Sequence, residues 1–174
     1  MRAIGFAGWS GAGKTTLIVR LIPELIRRGF SVSTIKHAHH GFDVDQPGKD
    51  SFEHRAAGAS EVLVASMSRI ALMRELRGAP EPSLMELLRM LAPVDLVLIE
   101  GFKRDPVAKI EVFRQANGKP PLFPQDPHVV ALASDGAPPT GLPHASIDDV
   151  PAIADLVLTL AEPVETLLDR LARL

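Results

Sequence analysis

The sequence predicts an α/β layered fold: a mostly parallel sheet with helices on both faces and an antiparallel hairpin extension. Three observations lead there. Strand-like and helix-like apolar patterns alternate along most of the chain. A strand, a helix and a second strand fit within the first 36 residues, a βαβ unit whose crossover should be right-handed. Between the first strand and the helix stands a glycine-rich octapeptide, Gly8-Trp9-Ser10-Gly11-Ala12-Gly13-Lys14-Thr15.

The elements follow in order. Arg2–Ala7 is a short apolar run ending in glycines, the pattern of a buried parallel strand. Lys14–Arg28 is a helix with Leu17, Leu21 and Leu25 on one face, a basic last turn, Gly29 at its end and Pro23 as an expected kink. Ser31–Lys36 alternates and is rich in β-branched residues, hence a strand. Glu61–Ala65 and Arg69–Met73 flank Ser66-Met67-Ser68 as a hairpin, and Pro82–Leu91 is a helix. Asp95–Ile99 is an apolar central strand, and Ala108–Arg114 and His128–Ala133 are two more. Gln115–Pro127 is an irregular Pro-rich excursion in which Asn117-Gly118 reads as a hairpin turn. Asp148–Leu160 is a helix opened by Asp148-Asp149, with Pro151 in its first turn. Residues 163–174 form a last helix whose stripe Val164, Leu167, Leu168, Leu171 and Leu174 is expected to dock on the sheet.

Composition bounds the rest. The 174 residues carry 19 Lys+Arg against 21 Asp+Glu and are 46% hydrophobic, so the chain is expected to fold as one domain. The near-neutral balance lacks the basic footprint of a nonspecific nucleic-acid binder. There are no cysteines, which removes disulfides, thiol nucleophiles and thiolate metal sites. No membrane-spanning run and no signal-peptide pattern is present, and the expected location is the cytoplasm.

The octapeptide matches G-x-x-x-x-G-K-[ST] in full, follows a strand and opens a helix. Its glycines let backbone N–H groups wrap phosphate oxygens. Lys14 would reach the β- and γ-phosphates, the Thr15 hydroxyl would ligate Mg²⁺, and the helix N-terminus adds a positive dipole. The chain is therefore expected to be a P-loop NTPase-type protein that binds a nucleoside triphosphate. Such a site also needs an acid on a neighbouring strand to hold the metal. Glu100, closing Leu96-Val97-Leu98-Ile99 before Gly101, is the candidate, although Asp is the usual residue. Asp95 should lie at the far end of the same strand.

The segment from Lys36 to Ser51 leaves a strand at the edge that carries the loop. His39, His40, Asp43 and Asp45 there fit a transition-metal site. The same segment also fits a switch loop whose carboxylate contacts Mg²⁺, or a plain surface loop. A guanine reader would be an Asp shortly after a strand, and Asp135, past Ala131-Leu132-Ala133-Ser134, has that placement. Asn117-Gly118-Lys119-Pro120 lacks the spacing and the Asp of the usual guanine motif.

These pieces together resemble the molybdopterin-guanine dinucleotide biosynthesis protein B (MobB) family. The resemblance rests on Gly8–Thr16, on Thr34-Ile35-Lys36-His37 with Asp43-Val44-Asp45-Gln46-Pro47-Gly48-Lys49-Asp50-Ser51, on a Glu53–Ala59 helix, on Ile99-Glu100-Gly101-Phe102-Lys103 and on Ala131–Asp135. It implies a GTP-binding protein with weak Mg²⁺-dependent GTPase activity, usually a homodimer. Such a protein assists a MobA-like guanylyltransferase that joins GMP to molybdopterin, and molybdopterin itself is a further candidate ligand. GTP contacts are then implied at Trp9, Ser10, Gly11, Ala12, Gly13, Lys14, Thr15 and Thr16, with Asp135 on the base. Thr15, Glu100 and Asp45 are implied for Mg²⁺, Lys14 and Glu100 for catalysis, and Lys103 and Arg104 for the pterin or the partner.

No general base and no arginine finger in cis stands out, so intrinsic hydrolysis is expected to be slow. Two other functions fit parts of the sequence. A metallochaperone-type GTPase would use His37, His39 and His40. A P-loop small-molecule kinase would need an arginine-rich lid, for which only Arg74 and Arg77 cluster.

Overall fold

The computed structural model describes residues 1–38, 41–136 and 141–173. The chain resolves into two compact units, one made of residues 1–37 and 83–174, the other of residues 38–82.

The larger unit is built on a sheet ordered β2-β5-β1-β6-β7-β8, from β1 (Arg2–Ala7), β2 (Val32–Lys36), β5 (Leu96–Glu100), β6 (Lys109–Phe113), β7 (Val129–Ser134) and β8 (His144–Ser146). Every neighbouring pair on that path is parallel. A two-residue strand, β9 (Glu162–Pro163), adds an antiparallel pairing to β1.

Side chains alternate along the strands and split the core into two layers. Ile4, Phe6, Leu96, Leu98, Ile110 and Val112 face one side, under α1 (Lys14–Arg27) and α4 (Val150–Leu160). Ala3, Val97 and Ile99 face the other, under α3 (Leu84–Met90) and α5 (Val164–Leu171). Helices therefore cover both faces, as predicted. The stripe on α5 docks inward with Val164 and Leu167 buried, and its predicted last member, Leu174, lies outside the described residues.

Helix ends follow local chemistry. α1 runs through Pro23 and closes with Gly29 and Phe30 amides donating to Ile26 and Leu25 carbonyls. Ser83 and Glu86 form a reciprocal capping box on α3, each satisfying a backbone N–H that the first turn would leave free. Asp149 caps α4 by accepting from the Ala152 amide at 3.0 Å. Asn117-Gly118 is not a hairpin turn: Gln115–Asn117 is a single 3₁₀ turn closed by Gly118, because no strand follows to pair across it.

The unit of residues 38–82 holds α2 (Asp50–Ala56) and an antiparallel ribbon of β3 (Glu61–Ala65) and β4 (Ile70–Arg74). The predicted hairpin is thus a two-stranded sheet of its own. The helix expected over Glu53–Ala59 starts and stops three residues earlier. Lys49 is its extended N-cap, and Asp50 and Glu53 fill a first turn where acids favour the helix dipole.

Candidate functional site

The glycine loop joins β1 to α1. Gly8 has φ +143°, and a Cβ there would collide with the Val112 carbonyl oxygen on β6. Gly13, the N-cap of α1, has φ +94°, a left-handed conformation that side chains rarely tolerate. Both positions need glycine, and together they turn the chain from strand into helix within a few residues. Among the described residues no side chain caps the α1 N-terminus, which leaves its first amides available to an anion.

Cations gather around this loop. The Lys14 ammonium donates to the Gly8 carbonyl at 2.9 Å and the Trp9 carbonyl at 3.0 Å. Burial, then the positive charge of Lys103, pull its pKa below the ordinary lysine value; Glu100 opposes this and Lys36 adds to it. The Lys103 ammonium stands 5.4 Å from the centre of the Trp9 ring, within cation–π range. The Arg114 guanidinium packs on Gly13, where a Cβ would lie 3.4 Å from its Nε. Sequence reasoning passed over Arg114 because an arginine at a strand end carries no motif.

One acid converges on the same place. Glu100 closes β5, and Thr15 Oγ1 donates to its Oε1 at 3.1 Å. These are two of the three residues expected at a metal, with Asp45 the third, and the structure brings these two together. A hydroxyl and a carboxylate are hard oxygen donors, the set that suits Mg²⁺. Lys36, last in β2 and in register with Glu100, completes a triangle. Its Nζ is 3.3 Å from Thr15 Oγ1 and 3.4 Å from Glu100 Oε2. The sequence offered no reason to put a lysine there.

The Pro-rich excursion is tied over the loop. Trp9 Nε1 donates to the Pro120 carbonyl at 2.7 Å, and Asn117 Nδ2 donates to the Ser10 carbonyl at 3.1 Å. Beneath it two charged residues of β6 are buried. Glu111 accepts from the Leu122 and Phe123 amides at 2.7 and 2.9 Å. Lys109 donates to the Lys103 carbonyl at 2.9 Å and to Asp126 at 2.8 Å. Burial raises the Glu111 carboxyl above its ordinary value, and the two amides work against that. Asp135, just past β7, accepts from the Gln115 amide at 3.0 Å through Oδ1. Thr16 is exposed in the first turn of α1.

The unit of residues 38–82 uses its acids differently. Arg55 reaches Asp43 at 2.8 Å, Glu75 at 2.8 Å and Asp45 at 3.2 Å. Asp45 Oδ1 also accepts from Ser51 Oγ at 2.8 Å. Both Asp45 oxygens are thus engaged in knitting its own segment together. Arg55 is held charged by its carboxylates, and Asp43 sits below the ordinary carboxylate range because Arg55 binds it. Arg77 donates to the Arg55 and Ala59 carbonyls and Arg74 pairs with Glu61, so both arginines of the kinase alternative serve the fold. His39 and His40 lie outside the described residues, and among the described residues no group of three acids or histidines is placed to hold a metal. The His37 and Phe102 rings lie 5.3 Å apart, tilted by 54°.

Comparison with known proteins gives a consistent picture. The family model for molybdopterin guanine dinucleotide synthesis protein B matches residues 3–135. A molybdopterin-guanine dinucleotide biosynthesis adapter protein of Escherichia coli (strain K12) is 46% identical over 158 residues, 89% of this chain and 90% of that protein. The Haemophilus influenzae protein of the same description is 42% identical over 88% of this chain and 86% of its own length. A crystal structure of molybdopterin-guanine biosynthesis protein B superposes with a TM-score of 0.71 at 27% identity, covering 90% of this chain and 98% of that one.

Proposed function

The chain belongs to the molybdopterin guanine dinucleotide synthesis protein B family, and from that premise we propose that it is a GTP-binding adapter in molybdopterin guanine dinucleotide biosynthesis. Its partner on this reading is a MobA-like guanylyltransferase in the cytoplasm, and its own GTPase activity is weak. The observation that carries the reading is the convergence of Thr15 and Glu100 at 3.1 Å beside an uncapped helix N-terminus and Lys14.

The roles divide as follows. Amides from Ser10 to Thr16 and the Lys14 ammonium hold the triphosphate, and Arg114 adds a guanidinium beside Gly13. Thr15 and Glu100 hold Mg²⁺, which when bound neutralises phosphate charge. Asp45 organises the segment of residues 38–82 and is left out of the metal set. Asp135 reads the guanine edge, with Gln115 fixing its Oδ1. Among the described residues no base is placed to activate water, and turnover on this reading stays well under the roughly 1–100 s⁻¹ of an efficient kinase.

The adapter also works as a homodimer on this reading. On the β3–β4 ribbon, Leu63 faces Leu72 and Ala65 faces Ile70. Leu63, Ile70 and Leu72 are 65%, 72% and 47% exposed, an apolar face of the kind that a second copy covers.

The direct test is reconstitution with a MobA-like guanylyltransferase, GTP and molybdopterin. Stoichiometric wild-type chain should raise the yield of guanylated molybdopterin, and Lys14→Ala should not. Equal yields with and without the wild-type chain would refute the reading.

A further inference from the structure

The placement of Lys36 has a second consequence. Its ammonium touches both the Thr15 hydroxyl, at 3.3 Å, and the Glu100 carboxylate, at 3.4 Å. Those are the two oxygen donors assigned to Mg²⁺ above, and the inference rests on that assignment.

The arrangement follows from the sheet. Lys36 and Glu100 are register partners at the ends of adjacent parallel strands, so their side chains leave the same face of the sheet. The Glu100 side chain is only 14% exposed, and a carboxylate so withdrawn from water needs a cation close by. Lys14 acts on Glu100 through its charge, but it donates to the Gly8 and Trp9 carbonyls, and among the described residues the ion pair to Glu100 is made by Lys36. The Lys36 side chain is 56% exposed and has a long flexible stem, so it can turn away without disturbing the core.

We propose that Lys36 is a resident counter-cation that holds the divalent-ion position between Thr15 and Glu100, and must swing out before a metal can bind there. An ammonium over 3 Å from these oxygens and an Mg²⁺ ion about 2.0–2.1 Å from them claim the same space and repel one another. Lys36 therefore keeps the Thr15–Glu100 pair assembled without metal and sets a threshold on metal entry. It is a positioning residue that acts through Glu100.

The test is Mn²⁺ binding to the full chain in the presence of GDP, followed by electron paramagnetic resonance. GDP is used because it has no γ-phosphate for a released lysine to grip. Lys36→Met keeps the stem and removes the charge, and should tighten Mn²⁺ binding about twofold to fivefold, the scale of a partly exposed charge pair. Lys36→Gln should do the same, and Lys36→Arg, which keeps the charge, should stay near wild type. Unchanged or weaker Mn²⁺ binding in both neutral variants would overturn the proposal while leaving the metal site standing. If Glu100→Gln binds Mn²⁺ as well as wild type, the metal assignment itself falls and the proposal with it.

Discussion

The two units of this chain handle charge and apolar surface in opposite ways. In the larger unit apolar side chains go into two core layers, and cations collect at one sheet edge around a loop with little acid to balance them. In the unit of residues 38–82 a single arginine, Arg55, gathers three carboxylates, while Phe42, Val44, Leu63, Ile70 and Leu72 stay exposed. The first unit is solved internally and left hungry for an anion. The second holds its central arginine among its own carboxylates and is left hungry for apolar contact. A local cluster of cations and an exposed apolar face are different functional signatures, and each unit carries one.

The contrast can be broken at its strongest point first. Lys14→Ala removes the ammonium at the loop and should weaken GTP binding about 100-fold, the upper range for a charge-assisted bond, with no loss of folding by circular dichroism. Glu111→Leu strands the Leu122 and Phe123 amides and should cost about 3 kcal/mol, at roughly 1–3 kcal/mol per orphaned group, read from chemical denaturation. A loss well under 1 kcal/mol would mean that these amides have other partners. Arg55→Leu should erase hydrogen-exchange protection between residues 43 and 75 while β1, β5 and β6 keep theirs. Uniform loss across the chain would show that the units are not separately held.

Two smaller effects sharpen the comparison. Leu72→Glu puts a charge on the apolar ribbon face and should shift sedimentation from dimer towards monomer, leaving GTP affinity in place. The pH dependence of GTP affinity should report Lys14. Its free-state pKa is lowered, and bound phosphates would raise it. Affinity is then full while Lys14 is protonated, and falls as pH rises through the lowered free-state value towards the bound-state one. Lys103→Met removes a lowering charge and should move the onset of that fall to higher pH.

Much of this was legible in the sequence because it is local. The glycine loop is dictated by the backbone angles of Gly8 and Gly13, and Glu100 by the apolar run that ends in it. The two-layer core follows from alternation in β1 and β5. What stayed hidden depends on partners far along the chain. β9 is two residues long and exists only through β1. Lys109 and Glu111 alternate on β6 as a solvated strand face would, and only the folded excursion shows them buried. Lys36 reaches Thr15 because β5 lies between β2 and β1, a strand order that spacing does not encode. The Asp43–Asp45 run advertised metal or switch chemistry, yet its nearest demand is Arg55, ten and twelve residues away.

The central claim is that the loop edge takes a guanine nucleotide through Lys14 and Asp135. Calorimetric binding of GTP and of ATP, each with Mg²⁺, to wild type, Lys14→Ala and Asp135→Asn tests it most directly. The account predicts a preference for GTP in wild type, loss of that preference with Asp135→Asn, and loss of both nucleotides with Lys14→Ala. Equal affinity of wild type for GTP and ATP, unaltered by Asp135→Asn, would contradict it.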